Sequence, residues 1–320
     1  MKYSRLIAML VVVACASCAA AADYPSHPIR MIVPFTPGSA SDMLARMIGP
    51  KLYETWGQQV VIDNRPSAGG TVAGGIVASA APDGHTLMLT SSGFAGAAAL
   101  YDKLPYDPLK DFTGVTLVAV TPLIIVVSPN LGVKSVKELI AAAQQKPGQL
   151  NFGSSGIGSG THFGGELFKL AAKINVTHVP YRGTPEALTD TMSGRIQFFV
   201  SPVLPAMALV RGGRLLALGV TSSQRLPMIP DVPTIAEAAI PGFEYDGWYG
   251  VFAPARTPRA IVNKVSVEVG RILKLPEVQD RITREGAAPK PMTPEQFDRM
   301  VRDEIVMRGK VFKAAGAKAN

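Results

Sequence analysis

Two stretches of small residues decide the fold of this chain: Thr36-Pro37-Gly38-Ser39-Ala40-Ser41-Asp42 and Ser154-Ser155-Gly156-Ile157-Gly158-Ser159-Gly160-Thr161. Each stretch follows a short apolar run, at 29–35 and at 150–153, and precedes a helical pattern of apolar residues. A strand that leads through such a loop into a helix leaves backbone N–H groups unpaired at the positive end of the helix dipole, which suits an anion such as a carboxylate. Because one such loop lies in each half of the chain, the pair predicts a ligand held between two lobes.

The first 22 residues have the pattern of a secretory signal peptide. Lys2 and Arg5 precede an apolar run at 6–14, and the alanines at 20–22 offer a small-residue cleavage site. The apolar run is far shorter than the ~20 residues that a membrane-spanning helix needs. We therefore expect an exported mature chain that begins at Asp23.

Both cysteines, Cys15 and Cys18, lie inside this leader, so the mature chain is predicted to contain no disulfide, zinc–thiolate site or cysteine nucleophile. An alternative remains open, because Val12-Val13-Ala14-Cys15 resembles a lipoprotein processing site. In that form Cys15 would be lipidated and would tether the protein to the membrane.

Charge and composition argue against nucleic-acid binding. Removal of the leader takes away two basic residues and lowers the formal charge from +8 to +6, and the remaining basic residues are scattered. Aromatic residues are only 7% of the chain, and neither a basic stripe nor a nucleic-acid-reading module is present. No nucleic-acid partner is expected, and we predict a monomer.

Short strands alternate with helical patterns in both halves of the chain, which predicts an α/β protein with mostly parallel sheets. Its length suits two lobes better than one core. We assign lobe 1 to residues 23–120 and 224–320, and lobe 2 to residues 121–223. The apolar segments 115–127 and 215–220 are interpreted as two crossover strands that form a hinge.

No catalytic or cofactor signature is present, so we predict no enzyme activity, no cofactor and no metal. The chain lacks a phosphate-binding P-loop, an H-E-x-x-H zinc motif and a G-x-S-x-G nucleophile elbow. Gly156-Ile157-Gly158 begins like a dinucleotide fingerprint, but Thr161 occupies the place of the third glycine. His27, His85, His162 and His178 each lack a second histidine or carboxylate at metal-ligand spacing.

The candidate ligand-binding residues gather at predicted strand ends, where hydroxyls and amides together can bind a carboxylate. The alternative for any single serine is an ordinary helix cap or turn. Phe35, Phe94 and Trp248 are candidate aromatic walls, although core packing is an equal alternative. The predicted site comprises Phe35, Gly38, Ser39, Ala40, Ser41, Asp42, Thr90, Ser91, Ser92, Phe94, Ser154, Ser155, Gly156, Ser159, Thr161, His162, Tyr181, Arg182, Gly183 and Ser201.

The chain resembles the Bug-type (tripartite tricarboxylate transporter) periplasmic solute-binding receptors. The matching motifs run in order over nearly all of the mature chain. They are Tyr-Pro-Ser-His-Pro-Ile-Arg at 24–30, Val-Pro-Phe-Thr-Pro-Gly at 33–38, Asn-Arg-Pro-Ser-Ala-Gly-Gly at 64–70, Ala-Pro-Asp-Gly-His-Thr-Leu at 81–87, Leu-Pro-Tyr-Asp-Pro at 104–108, Asn-Phe-Gly-Ser-Ser-Gly at 151–156, Val-Pro-Tyr-Arg-Gly at 179–183 and Asp-Val-Pro-Thr at 231–234.

This resemblance implies a two-lobed type II periplasmic binding protein, or Venus flytrap, with a ligand carboxylate in the loop after the first strand. It also implies delivery of the ligand to a transporter with one large and one small membrane subunit.

Three departures from the family pattern bear on the ligand. Ser39 replaces a glycine and Arg182 replaces a lysine. Ser201-Pro202 stands where amino-acid-binding members place an acidic residue for the ammonium group. The resemblance therefore favours a mono- or dicarboxylic acid without an amino group. If Phe35 or Phe94 faces the cleft, an aromatic dicarboxylate such as terephthalate is possible.

Two other functions stay open at this point. An exported serine hydrolase would need a base near a serine of the second loop, and His162 is the nearest candidate in sequence. A ligand sensor that reports to a signalling partner would have the same two lobes.

Overall fold

The computed structural model describes residues 24–67, 70–284 and 286–319. The predicted signal peptide and Cys15 lie outside these residues. Within the described part of the chain, no helix is both long and apolar enough to cross a membrane.

Lobe 1 begins as a parallel sheet with helices on its faces. Strand β1 pairs in parallel with β2 on one side and with β3 on the other. The elements are β1 (Ile29–Val33), α1 (Ala40–Trp56), β2 (Val60–Asn64), α2 (Thr71–Ala78), β3 (Thr86–Ser91) and α3 (Gly93–Leu100). Because β1 is almost wholly buried, its sequence is apolar on both faces except at Arg30, rather than alternating.

Strand β4 (Phe112–Val127) carries the chain from lobe 1 into lobe 2. Its first part pairs antiparallel with β9 (Asp246–Pro254), and its last residues pair antiparallel with strands of the second lobe. Its side chains are buried along almost its whole length, which matches the apolar run that predicted a crossover here.

Lobe 2 repeats the alternation of strands and helices. Strand β5 lies between β6 and β7 and is parallel to both. The elements are α4 (Val136–Gln145), β5 (Asn151–Ser154), α5 (Gly160–Ala172), β6 (Thr177–Pro180), α6 (Thr184–Met192), β7 (Phe198–Pro202), α7 (Val203–Arg211) and β8 (Leu216–Val220).

The return path to lobe 1 differs from the predicted one. Strand β8 pairs with the second half of β4 and therefore stays in lobe 2. The chain then continues through α8 (Ile235–Ala238), and Ile235 and Phe243 belong to the lobe 2 core. It crosses back at the start of β9. The predicted boundary at residue 224 thus falls within a segment whose apolar side chains pack on lobe 2.

The C-terminal part contains α9 (Arg259–Ile272), α10 (Pro276–Arg284), β10 (Ala288–Pro289) and α11 (Pro294–Ala315). Helix α11 contacts both lobes, because Phe297 packs in a lobe 1 core cluster and Phe312 packs in a lobe 2 cluster. The two predicted lobes are present, and this helix connects them in addition to the two strand crossings.

Candidate functional site

A small cavity lies where the two lobes face each other. Its volume is about 30 Å³, enough for about two water molecules. Lobe 1, with β9, contributes Phe35, Ser39, Ala40, Ser41, Ser91, Ser92, Gly247, Trp248 and Tyr249, whereas β4 and lobe 2 contribute Leu123, Ser155, Gly160, Thr161, Thr184 and Pro202.

Five helices begin at the wall of this cavity. The N-cap residue is Ser39 in α1, Ser92 in α3 and Pro202 in α7. The first residue is Gly160 in α5 and Thr184 in α6. Each follows the carboxyl end of a strand, so the topology directs five positive dipole ends and their first-turn N–H groups toward one point. An anion is the ligand that this arrangement favours.

Two serine hydroxyls of the first loop lie at this point without a partner. Among the described residues, neither Ser39 Oγ nor Ser41 Oγ has a hydrogen bond, and the two side chains are only 2% and 1% exposed. A buried polar group left unpaired costs about 1–3 kcal/mol. Both hydroxyls are therefore placed to donate to a ligand atom in the cavity.

Gly38 and Asp42 shape the first loop from behind the cavity. Gly38 has φ of 81°, a conformation that a Cβ disfavours, and its amide donates to Asp42 Oδ2 at 2.9 Å. Burial opposes ionisation of Asp42, but hydrogen bonds from Arg46 and Gly38 outweigh it and lower the pKa of Asp42. The carboxylate thus closes the loop onto α1 and does not line the cavity.

The hydroxyls of the second loop bond to one another. Thr161 Oγ1 accepts from the Ser155 amide at 2.8 Å and also contacts Ser155 Oγ at 3.0 Å and Ser159 Oγ at 2.9 Å. Ser159 in turn caps α5 by accepting from the His162 amide. Ser155 and Thr161 reach the cavity with their polar atoms already engaged.

His162 and Ser154 do not form a serine–base pair with each other. His162 Nδ1 accepts from the Gly158 amide at 3.1 Å, and its ring stacks on His178. Ser154 Oγ instead contacts His178 Nε2 at 2.6 Å, and Ser154 is fully buried. Burial, assisted by His162 and Lys169, lowers the pKa of His178 to about 2, so this imidazole is a poor base at neutral pH.

The remaining predicted residues of lobe 2 lie around the cavity rather than on its wall. Tyr181 donates to Asp190 Oδ2 at 2.9 Å, and burial together with Asp190 raises the pKa of Tyr181 to about 12. Tyr181, Arg182 and Gly156 line a wider recess of about 700 Å³ that Pro66 and Ser67 of lobe 1 border.

Gly183 and Ser201 lie beside the cavity and are not among its wall residues. Gly183 is the N-cap of α6, and a Cβ there would lie 2.1 Å from Thr36 Oγ1 of lobe 1. Ser201 is buried and donates to the carbonyl of Pro202 at 3.0 Å.

The aromatic candidates have different surroundings. Phe35 and Trp248 both line the cavity. Phe94 packs against Phe112 and Phe252 in the lobe 1 core, although it also borders a smaller adjoining space together with Thr90 and Ser159.

Sequence reasoning missed several wall residues, among them Thr184, Gly247 and Tyr249. Thr184-Pro185 carries a recognisable signal, because proline favours the first turn of a helix and so marks another N-terminus. Gly247 and Tyr249 offer no such signal, since β9 reaches the site only through its antiparallel pairing with β3 and β4.

No side chain on the described cavity wall carries a charge at neutral pH. Tyr249 is the one titratable wall residue, and burial raises its pKa, so the phenol stays neutral. The site therefore offers dipoles and hydroxyls to an anion but no carboxylate to an ammonium group.

One histidine cluster outside the cleft corrects the expectation that no histidine has a suitable neighbour. His27, Asp83 and His85 each place a ligand atom within 4.8 Å of the others. His85 Nε2, however, accepts from the Ser26 amide at 3.2 Å, which leaves the ring proton on Nδ1, facing Asp83. This tautomer has no free lone pair for a metal ion.

Fold and site together define a two-lobed solute-binding protein with an anion-compatible cleft. The family model described as tripartite tricarboxylate transporter family receptor matches residues 44–317. The chain belongs to this family of solute-binding receptors.

Curated relatives match over most of the chain. Protein BugT of Bordetella pertussis is 35% identical over 99% of both chains. A UPF0065 protein of Pseudomonas sp. (strain P51) is 39% identical over 88% of this chain and 84% of the relative.

Solved structures agree closely with the fold. The R. palustris protein Rpa4515 with adipate is 37% identical, with a TM-score of 0.89 over 92% of this chain and 99% of the other. MatC from Rhodopseudomonas palustris with bound malate is 35% identical, with a TM-score of 0.85 over 90% of this chain and 99% of the other. These matches confirm the predicted fold class and family.

Proposed function

We propose that this protein is a periplasmic receptor that closes its lobes on a small carboxylate without an amino group and delivers it to a tripartite tricarboxylate-type transporter. The observation that carries the proposal is the pair of unpartnered hydroxyls, Ser39 and Ser41, at a point where five helices begin. A carboxylate there would accept the hydroxyl protons and interact favourably with the dipole ends.

The chemistry of the wall supports the exclusion of amino acids. An ammonium group needs a nearby carboxylate or several acceptors when it is buried. Among the described wall residues none is acidic, and Pro202 stands beside the position from which an acidic side chain would reach the ligand. Two relatives by fold hold adipate and malate, which are dicarboxylates without an amine.

The size of the cavity indicates how closure depends on the ligand. A volume of about 30 Å³ is well below that of pockets for larger organic ligands, so the lobes are nearly shut in this arrangement. A dicarboxylate such as adipate or terephthalate would need a wider cavity than this one, with the contacts between the lobes behind the cavity kept. Phe35 and Trp248 would then offer apolar faces to the ligand body.

The signal-peptide pattern supports export to the periplasm, and the resemblance to transporter receptors supports a two-subunit membrane partner. We further propose that the receptor acts as a monomer and turns over no substrate.

The test is a ligand screen by thermal shift, followed by calorimetry, with adipate, malate and terephthalate. Glutamate serves as the matched control because it is a dicarboxylate with an amine. A ligand that binds only the folded state raises the melting temperature. We expect a rise with at least one amine-free carboxylate and none with glutamate. A response to glutamate alone, or only to sugars or cations, would contradict the proposal.

The same samples test the hydrolase alternative. Proton NMR of the bound acid after prolonged incubation should show it unchanged, and His162→Ala should retain binding. Appearance of a product that His162→Ala abolishes would favour the enzyme instead.

A further inference from the structure

A fully buried arginine lies behind the cavity on the helix that joins the lobes. Arg308 of α11 is 0% exposed; its Nε donates to Glu304 Oε1 at 2.6 Å and its Nη2 to the hydroxyl oxygen of Tyr245 at 2.7 Å. The guanidinium carbon lies 4.3 Å from the ring centre of Phe163, a residue of α5 in lobe 2. Nη1 has no hydrogen-bond partner among the described residues, so Glu304 and Tyr245 are the groups that hold this buried charge.

Two short paths lead from this arginine to the cavity wall. Along the first, Glu304 Oε2 accepts from the indole Nε1 of Trp248, whose ring lines the cavity. Along the second, the hydroxyl of Tyr245 lies 3.4 Å from Ser92 Oγ, which also lines the cavity. Within the described part of the chain, the guanidinium of Arg308 forms no hydrogen bond with Trp248 or Ser92.

The direction of the second path follows from the chemistry of its members. A guanidinium can only donate, so the oxygen of Tyr245 is the acceptor of the bond from Arg308. The phenolic proton of Tyr245 is then free to point at Ser92 Oγ. Burial raises the pKa of Tyr245, which keeps this proton in place at neutral pH.

The hydroxyl proton of Ser92 therefore has no need to turn toward Tyr245. Gly160 of lobe 2 leaves room for this hydroxyl, because a Cβ on Gly160 would lie only 2.5 Å from Ser92 Oγ. With one lone pair of its oxygen accepting the Tyr245 proton, Ser92 presents its own proton to the cavity as a hydrogen-bond donor.

We infer that Arg308 is a positioning residue for the ligand site: through Tyr245 it orients Ser92 as a donor to a bound anion, and through Glu304 it holds Trp248 against the ligand. This inference rests on the proposed carboxylate-binding function. Tyr245 packs in the lobe 2 core, whereas Ser92 caps α3 of lobe 1, so the relay from Arg308 through Tyr245 to Ser92 is complete only when the lobes meet. Anion selectivity thus depends on a residue outside the cavity.

The test compares two tyrosines that each lose one oxygen. Tyr245→Phe removes the relay but keeps the ring, and Tyr24→Phe removes a hydrogen bond of another buried tyrosine, from its hydroxyl to the carbonyl of Gly84. Binding is measured by calorimetry with whichever of adipate, malate and terephthalate binds the unchanged protein. Tyr245→Phe should raise the Kd about three- to tenfold, the worth of one hydrogen bond, while Tyr24→Phe leaves it unchanged.

A double-mutant cycle separates the relay from general loosening of the structure. In a Ser92→Ala background, Tyr245→Phe should have no further effect on the Kd, even if the melting temperature falls again. An unchanged Kd in Tyr245→Phe, or a full effect that persists without Ser92, overturns the relay alone. If the unchanged protein binds none of the three acids, the proposed function fails, and the relay fails with it.

Discussion

The small-residue loops of the two lobes are alike in sequence and opposite in their hydrogen bonding. In lobe 1, Ser39 and Ser41 are buried with no partner among the described residues. In lobe 2, the Thr161 hydroxyl is hydrogen-bonded to Ser155 and to Ser159. Both loops precede a helix at the same cavity, yet only the first keeps two hydroxyls available at the cavity, while its Thr36 hydroxyl donates to Glu186 of lobe 2.

The difference assigns different tasks to the lobes. An unpaired buried hydroxyl lowers the stability of the ligand-free protein, so its retention indicates a partner that arrives later. A loop whose hydroxyls bond to one another is rigid and presents a preformed surface. Lobe 1 is thus expected to supply the bonds to the carboxylate, and lobe 2 to supply helix dipoles and a fixed wall.

The largest expected effect comes from removing both free hydroxyls. Ser39→Ala combined with Ser41→Ala should raise the carboxylate Kd by roughly 100-fold or more, because each bond to a charged group is worth about 1.5–3 kcal/mol. The same change should stabilise the ligand-free protein by about 1 kcal/mol or more, since no orphan hydroxyl remains. Calorimetry and urea unfolding measure the two effects. Ser266→Ala, a buried serine of α9, is the control. Unchanged affinity would show that the two lobe 1 hydroxyls do not bind the ligand.

A second prediction concerns the contact between the lobes. A Cβ on Gly96 in α3 would lie 1.8 Å from the carbonyl oxygen of Gly158 in lobe 2. Gly96→Ala should therefore oppose closure at a cost of about 1–3 kcal/mol, which raises the Kd roughly 5- to 150-fold. Alanine also favours the helix by about 1 kcal/mol, so the open protein should not be destabilised.

Small-angle scattering should show that Gly96→Ala remains open at a ligand concentration that closes the unchanged protein. Gly309→Ala in α11 is the matched helical control, because no described atom beyond its own stretch of helix backbone lies within 4 Å of its added Cβ. Normal closure of Gly96→Ala would mean that the lobes meet in another way.

The third prediction tests the self-bonded loop. Thr161→Val removes the common partner of Ser155 and Ser159 and should destabilise the protein by about 1–2 kcal/mol. The carboxylate Kd should change less than about threefold, because the lost bonds are internal to the loop. Urea unfolding and calorimetry again give the two values. A loss of affinity like that of the double serine variant would show that lobe 2 binds the anion directly.

The last prediction leaves the affinity aside and concerns a dependence of stability on pH that originates beneath the lobe 2 loop. The pKa of His178 is lowered to about 2 in the folded protein, mainly by burial, whereas an unfolded histidine titrates near 6.5. The unfolded state therefore binds the extra proton first as the pH falls. The contribution of His178 is complete above pH ~6.5 and declines by up to ~1.4 kcal/mol per pH unit below it.

Urea unfolding at several pH values between about 7.5 and 4.5 measures this slope. In His178→Gln the slope of the unfolding free energy against pH should fall by up to ~1.4 kcal/mol per pH unit, which corresponds to one bound proton. The variant also loses the contact of His178 with Ser154. Parallel pH profiles for the two proteins would show that His178 takes no part in this dependence.

Local sequence patterns were enough to predict most helices and strands. The apolar runs at 29–35 and 150–153 overlap the strands Ile29–Val33 and Asn151–Ser154, and the helical patterns that follow the two small-residue stretches are Ala40–Trp56 and Gly160–Ala172. The return crossing was misplaced because Leu216–Val220 and Asp246–Pro254 are both short apolar strands. Only the pairing of the first with the lobe 2 part of β4 separates them.

For the candidate site too, local patterns predicted some residues and only the strand pairing placed the others. Many predicted residues of the two loops line the cavity, since parallel strands end at a common edge. Trp248 and Tyr249 arrive on an antiparallel strand from a distant part of the chain. The assignment of individual binding roles stays a prediction that the variants above can test.

The sequence by itself determined the alternation of strands and helices, the two anion-compatible loops and the family, because these depend on short-range patterns and ordered motifs. The tertiary structure alone decided which hydroxyls stay free, where the chain recrosses the hinge, and that Arg308 lies behind the site. A hydroxyl has the same local propensities whether or not it finds a partner. Its availability is set by neighbours that the fold brings from elsewhere.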